Sequence, residues 1–247
     1  MIFDPHRKYF PNKEAGLRID FEEIEEIKMD YFDQFKPYLI DLIGCNLKEK
    51  FNGTLFRLPL RTREAAELSD ISEKEYTEED VLRLFDSFEK ESIEVPLFLK
   101  NIEKIEVMIW EENEKEPKLN FSVEIDGLLE KTKENRRALI NRYVSKGSEY
   151  LNSLSNPRPF TYQLHIKQKT SQSIIEQKWL ISNLMGTGES KKLALEHIKT
   201  KGIKLIPWIQ VATKLFEHNS ESLQGRLFCF LPMSNYTKLT SHINGFL

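Results

Sequence analysis

The sequence has 247 residues, of which 40% are hydrophobic and 30% are charged, and this balance excludes a chain that is disordered throughout. Its longest apolar runs fall far short of the ~20 residues that cross a bilayer, so no membrane span is expected. A net charge of −3 offers no general attraction to nucleic acid. The two cysteines are too few and too far apart for a disulfide framework, and this favours a cytoplasmic protein.

Charge is divided unevenly along the chain. Residues 1–126 carry 18 Lys and Arg against 31 Asp and Glu, whereas residues 127–247 carry 18 against 8. Two interpretations are open. The acidic half packs near the basic half in one fold, which we favour, or the basic half binds an anion such as a phosphate group.

The first half of the chain predicts four elements. A proline-initiated short helix is expected around residues 37–43, and alternating side chains predict a strand over residues 53–59. Thr77 stands three residues before Asp80, which is a capping-box variant that begins the next helix. A second short helix is expected over residues 93–101.

The rest of the chain, from residue 105 onward, predicts two hairpins, two helices and two further strands. Alternation marks the hairpins within residues 105–125 and 160–181. Between them we expect a long helix whose basic side chains spread over its exposed side, namely Lys131, Lys133, Arg136, Arg137 and Arg142. A short basic helix over residues 189–200 precedes the last two strands, over residues 208–216 and 226–231. Hairpins alternating with helices predict an α/β fold of the mixed α+β type, with a largely antiparallel sheet covered by helices.

Residue chemistry by itself predicts no active site. The histidines are scattered and neither cysteine is adjacent to one, so no metal site is predicted. His165 falls on the polar side of its strand and is expected at the surface. The segment Gly186–Lys192 combines Gly, Ser and Lys, but its spacing differs from that of a phosphate-binding loop and favours a plain turn into a helix. We therefore predict no catalytic or metal-binding residue, and whether this chain has any enzyme activity is left open.

Several short strings resemble the repeating region of the sacsin family, and they occur in order from one end of the chain to the other. The strings are Phe3-Asp4-Pro5-His6, Gly16-Leu17-Arg18-Ile19-Asp20-Phe21, Asp33-Gln34-Phe35-Lys36-Pro37-Tyr38, Gly53-Thr54-Leu55-Phe56-Arg57-Leu58-Pro59-Leu60-Arg61, Phe98-Leu99-Lys100-Asn101-Ile102, Phe228-Cys229-Phe230-Leu231-Pro232 and His242-Ile243-Asn244-Gly245-Phe246. Their common order and rough spacing make the resemblance specific.

This resemblance implies a large cytosolic co-chaperone whose repeats begin with an ATPase domain of the GHKL type, similar to heat shock protein 90. It implies that residues 1–62 are the C-terminal tail of such an ATPase domain and that residues 63–247 are a middle-type α/β segment. The family's Asn-x-x-x-Asp and Asp-x-Gly-x-Gly nucleotide motifs do not occur in this sequence. Catalysis by this piece alone is therefore not expected.

The same resemblance supplies two candidate cofactor-binding residues, Gly53 and Thr54. Their segment corresponds to the last strand of the nucleotide-binding domain, where the threonine helps to place the adenine through a water. The alternative for Thr54 is a strand threonine that is satisfied locally. Arg57 and Arg61 lie on the same string and are expected to be structural, through pairs with carboxylates, with a phosphate contact as the alternative.

The implied function is that of a non-catalytic fragment coupling the upstream ATPase domain to client or partner proteins. ATP with Mg is expected in the full repeat and no cofactor in this fragment. The implied partners are clients, heat shock protein 70-type chaperone machinery and the upstream domain, without nucleic acid or a membrane span. The alternative is a static protein interaction scaffold, a degenerate repeat that does not respond to ATP.

Overall fold

The computed structural model describes residues 2–3, 16–17, 51–70, 72–127, 130–146, 148–153, 157–201, 207–215 and 223–245. The chain divides into two compact units, Met1–Leu60 and Arg61–Leu247. Whether these units correspond to an ATPase tail and a middle-type segment, as the resemblance implies, stays a prediction. The helix predicted around residues 37–43 lies outside the described residues.

The described part of the first unit contains one short strand pair. Strand β1, Ile2–Phe3, pairs antiparallel with β2, Gly16–Leu17. The strand predicted over residues 53–59 is wrong, because residues 51–60 adopt neither helix nor strand. Alternation there did not indicate one buried face, since Phe56 and Leu58 are both exposed.

The helices of the second unit begin with a short one that the sequence did not predict, α1 at Arg63–Glu67. Helix α2, Glu78–Ser92, begins as predicted. Thr77 Oγ1 accepts from Asp80 N at 3.2 Å, and Asp80 Oδ2 accepts from Thr77 N at 3.0 Å. The pKa of Asp80 is lowered because its carboxylate accepts from the backbone N–H and from the hydroxyl of Thr77. The predicted capping box is therefore confirmed.

The helix predicted over residues 93–101 is reduced to a single 3-10 turn, η1 at Val95–Leu97. Pro96 stands in the first turn, where its missing backbone donor is tolerated, and the helical conformation does not continue beyond Leu97. Three more helices follow in the chain, α3 at Glu130–Lys146, α4 at Ser148–Ser153 and α5 at Gly188–Lys201. Residues Gly186 and Thr187 connect the preceding strand to α5, which confirms the plain turn predicted for this segment.

Eight strands of the second unit form one sheet, in the order β3-β4-β5-β6-β7-β10-β8-β9. Their bounds are β3 Lys104–Ile109, β4 Lys118–Asp126, β5 Phe160–Thr170, β6 Ile174–Met185, β7 Trp208–Leu215, β8 Arg226–Cys229, β9 Leu231–Tyr236 and β10 His242–Gly245. Neighbouring strands are antiparallel except β10 and β8, which are parallel. The mixed α+β class with a largely antiparallel sheet is confirmed.

The C-terminal strands differ from the prediction at one residue. The single strand expected over residues 226–231 is wrong, because the chain turns at Phe230, whose φ is +63°. This left-handed conformation ends β8 and allows β9 to fold back against it. Strand β10 was not predicted, and it inserts between β7 and β8.

One face of the sheet carries two apolar clusters. The larger one comprises Ile93, Leu97, Phe98, Val123, Ile125, Tyr162, Leu164, Ile166, Trp179, Ile181, Ala212 and Phe228. The smaller one comprises Leu151, Met185, Ala194 and Trp208. Side chains two residues apart share a face, so Asn183 lies between Ile181 and Met185 on β6. Polar residues on this face therefore separate the two clusters.

Candidate functional site

The two candidate cofactor-binding residues lie next to each other in an exposed segment of the first unit. Gly53 and Thr54 are both exposed, within the stretch that forms no strand. A Cβ at position 53 would lie 3.1 Å from the ring of Phe51, so the glycine allows this ring to pack closely. The contribution of Gly53 and Thr54 to nucleotide binding stays a prediction.

The two arginines of the same string behave differently. Arg57 is exposed. Arg61 donates from Nη1 to the carbonyl oxygens of Ser72 and Lys74, at 3.1 and 3.3 Å. Arg61 is structural, as expected, but it holds a loop through carbonyls instead of pairing with a carboxylate.

Arg136 corrects the prediction that the basic residues of α3 all lie on its exposed side. Its side chain is buried, and its Nη2 donates to the carbonyl oxygens of Pro96, at 3.1 Å, and Leu99. Burial lowers the pKa of Arg136, and the neighbouring Tyr162 hydroxyl opposes that change. The helical periodicity of α3 could not reveal that Arg136 is buried, because the Pro96 carbonyl that accepts from it lies 40 residues away in sequence.

A row of three buried amides crosses the sheet between the two apolar clusters. Asn183 on β6 lies directly opposite Gln210 on β7, and Gln210 lies opposite Asn244 on β10. Gln210 Nε2 donates to Asn183 Oδ1, and Asn244 Nδ2 donates to Gln210 Oε1 at 2.9 Å. We refer to Asn183, Gln210 and Asn244 as the amide row.

Both ends of the amide row are closed by further polar groups. Asn183 donates to the carbonyl of Phe160 at 3.3 Å, and Asn244 Oδ1 accepts from the backbone N–H of Phe230 at 2.7 Å. The second bond supports the left-handed turn at Phe230. Because a one-residue slip would place these amides on the other face of the sheet, the row favours a single register for three strands.

A second polar cluster joins α2 to the C-terminal strands. His242 is 1% exposed, and its ring stacks on Trp179 with ring centroids 5.1 Å apart. Its Nδ1 accepts a hydrogen bond of 3.0 Å from the backbone N–H of Arg226. Its Nε2 lies 3.4 Å from Oε1 of Glu94. Arg226 Nη1 donates to Glu91 Oε2 at 3.1 Å. The accepting role of Nδ1 places the proton of a neutral imidazole on Nε2, facing the carboxylate.

Lys100 follows η1 and lies against aromatic rings. Its Nζ is 4.9 Å from the ring centroid of Phe230 and 5.7 Å from that of Trp208. The two rings stack on each other with centroids 6.0 Å apart. Burial lowers the pKa of Lys100 to about 8.

The opposite face of the sheet carries His165, which is half-buried between two carboxylates. Its Nδ1 lies 3.5 Å from Asp126 and its Nε2 lies 3.3 Å from Glu176. The predicted position on the polar face of the strand is confirmed. Among the described residues no group of His, Cys, Asp and Glu could hold a metal ion, and no described helix is long and apolar enough to cross a membrane.

These features define a mixed α+β protein whose buried polar groups mainly serve packing and register. A Sacsin domain family model matches residues 1–122. The human protein Sacsin is 28% identical over 267 aligned residues, which cover 99% of this chain and 6% of the human protein. No solved structure matches the chain. The chain is therefore similar to Sacsin, and it spans only a small part of the length of that curated relative.

Proposed function

We propose that this chain is a non-catalytic portion of a sacsin-like co-chaperone, which couples an upstream heat shock protein 90-like ATPase domain to client or partner proteins. The observation that carries the proposal is the similarity to Sacsin along nearly the whole chain. The nucleotide, ATP with Mg, belongs to the upstream domain in this proposal. Clients and heat shock protein 70-type machinery are its partners in the cytoplasm.

Two features of the second unit support the proposed relay. Eight hydrogen-bonded strands form a continuous sheet. Arg226 ties helix α2 to that sheet through Glu91, and His242 ties the segment between α2 and η1 to it through Glu94. A relay needs an element whose contacts differ between two states, and the α2 connection offers a defined set of polar contacts that can break and re-form together.

The relay predicts that nucleotide alters how strongly the backbone amides of α2 and β10 are protected from hydrogen exchange. We would produce the chain joined to its upstream ATPase domain and compare amide hydrogen exchange with ATP, with ADP and without nucleotide. A relay predicts a change in protection beyond Arg61 that depends on ATP, centred on residues 78–98 and 226–245. A static scaffold predicts unchanged exchange beyond Arg61 although the upstream domain binds ATP.

Thr54→Val tests the proposed nucleotide contact. Valine keeps the shape of threonine but loses its hydroxyl, so we expect ATP affinity of the joined protein to fall by about three- to tenfold, as for one water-mediated hydrogen bond. Isothermal titration calorimetry measures this affinity. Thr161→Val is the matched control, because Thr161 is an exposed strand residue of the other unit. Equal affinities for both variants and the unchanged protein would contradict the contact.

A further inference from the structure

We propose that the side-chain amine of Lys100 is a site of covalent acylation, and that its acyl donor belongs to the class of thioesters. Lys100 follows η1 in the chain, and its Nζ lies against the rings of Phe230 and Trp208. This modification site is separate from the proposed nucleotide contact at Thr54 and does not depend on the relay.

The surroundings of the Lys100 amine are aromatic and are fixed by hydrogen bonds. Its Nζ is 4.9 Å from the ring centroid of Phe230 and 5.7 Å from that of the buried Trp208. Asn244 Oδ1 accepts from the backbone N–H of Phe230 at 2.7 Å, and so holds the turn that carries this ring. On the other side, Arg136 donates to the carbonyl of Leu99, the residue directly before Lys100. The amine is therefore kept beside the two rings.

The Lys100 ammonium lacks a neutralising carboxylate. It forms neither an ion pair nor a hydrogen bond with any residue that the structure describes. Lys104, Lys118 and Lys133 differ, because each of them pairs with a glutamate. Those hydrogen-bonded carboxylates raise the pKa of all three, whereas burial lowers the pKa of Lys100 to about 8. The ring faces attract the ammonium, but unlike a carboxylate they offer it no opposite charge.

A desolvated lysine amine is a nucleophile, because burial favours the neutral form, whose lone pair can attack a carbonyl. The Lys100 nitrogen attacks the carbonyl carbon of the thioester, and the C–S bond breaks as the C–N bond forms. The thiolate leaves with the electron pair of the C–S bond, and water takes the proton that the nitrogen loses. Lys100 is only half-buried, so the amine remains open to solvent.

The aromatic surroundings favour acylation over the formation of an imine with an aldehyde. An amide is neutral, so acylation replaces a partly buried cation with an uncharged group beside the two rings. An imine on the same nitrogen is readily protonated and would restore the positive charge. Acylation therefore removes the cation next to the turn at Phe230, together with its attraction to the ring faces.

Site-resolved acetylation of the full chain measures the reactivity of Lys100. The thioester is N,S-diacetylcysteamine, and digestion with a glutamate-specific protease followed by mass spectrometry gives the initial rate at each lysine. At neutral pH we expect Lys100 to react about tenfold faster than Lys118, which is exposed and paired with Glu114. A lower pKa enlarges the neutral fraction but also weakens the nucleophile, and the factor includes both effects. In concentrated urea the difference should disappear, because unfolding removes the aromatic surroundings.

The pH dependence of the rate distinguishes this amine from an ordinary lysine. Only the neutral amine reacts, so the rate at Lys100 should rise with pH and level off above its pKa of about 8. The rate at Lys118 should continue to rise beyond this range, because Glu114 raises the pKa of that lysine. Lys100→Arg removes the nucleophile and verifies the assignment of the acetylated peptide.

Phe230→Gly tests the contribution of the aromatic ring. Glycine adopts the left-handed conformation of this turn without strain, so the variant removes the ring and keeps the backbone. Water then reaches the amine, and we expect the rate at Lys100 to fall about threefold or more, towards that at Lys118. Leu231→Gly is the matched control, because Leu231 is the exposed neighbour of Phe230, and it should leave the rate unchanged. Circular dichroism verifies that both variants are folded.

Three results would overturn this assignment of Lys100. The first is a rate at Lys100 in the folded chain that is no greater than the rate at Lys118. The second is a preference for Lys100 that persists in urea, since local sequence would then be its cause. The third is an unchanged rate at Lys100 in a folded Phe230→Gly variant. None of them bears on the ATP-dependent hydrogen exchange that tests the relay, so the two proposals fail separately.

Discussion

Replacing Asn244 with leucine is expected to lower the free energy of unfolding by about 2–5 kcal/mol. The asparagine is fully buried and bonds at both ends of its amide. Its loss leaves the side-chain oxygen of Gln210 and the backbone N–H of Phe230 without their partners in the core. Each orphaned buried group costs about 1–3 kcal/mol. Urea denaturation followed by far-ultraviolet circular dichroism measures the loss.

The control for this prediction is Asn235→Leu, on the edge strand β9. Asn235 is exposed, so we expect a change within about 0.5 kcal/mol. The double variant Gln210→Leu with Asn244→Leu removes both partners of one hydrogen bond. We expect its destabilisation to be smaller than the sum of the two single effects. Full additivity would show that the amide row does not act as a unit.

Trp179→Ala is expected to destabilise the protein by about 3–5 kcal/mol. Trp179 is completely buried near the centre of the sheet. Truncation leaves a large cavity beneath His242, whose ring loses its stacking partner at 5.1 Å. It also removes the indole donor to Gln177. The urea midpoint, again followed by circular dichroism, should fall sharply.

Trp110→Ala is the matched control, because Trp110 lies just after β3 and is 42% exposed. We expect it to cost only about 1 kcal/mol, since little apolar surface leaves the core. Comparable losses for the two variants would contradict the placement of Trp179 at the centre of the larger cluster. A stable Trp179→Ala protein would do the same.

The elements that sequence analysis predicted correctly are those with local causes. Thr77 and Asp80 are three residues apart, so their reciprocal hydrogen bonds form within one turn whatever surrounds them. The two hairpins are also local, since each pairs strands that follow one another in the chain. Alternation indicated their buried faces correctly because one face of each strand packs on the core.

The errors lie where a distant partner decides the structure. Pattern alone could not tell that Arg136 turns inward, because its acceptors are the carbonyls of Pro96 and Leu99. The turn at Phe230 depends on Asn244, fourteen residues later. The alternating pattern over residues 53–59 does not indicate whether a neighbouring strand is present to pair with. In the described structure these residues form no strand.

The candidate sites follow the same division. Gly53 and Thr54 were identified through family resemblance, and their role stays a prediction. A buried donor without an acceptor becomes visible only when the surrounding atoms are known.

The amino-acid sequence by itself determined the sacsin-like character, the mixed α+β class, the two hairpins and the start of α2. Only the tertiary structure decided the insertion of β10 between β7 and β8, the alignment of the amide row and the inward position of Arg136. Short-range order arises from hydrogen bonds and periodicity within a few residues. Buried polar groups instead depend on partners brought together by folding, because each must find its acceptor or donor away from water.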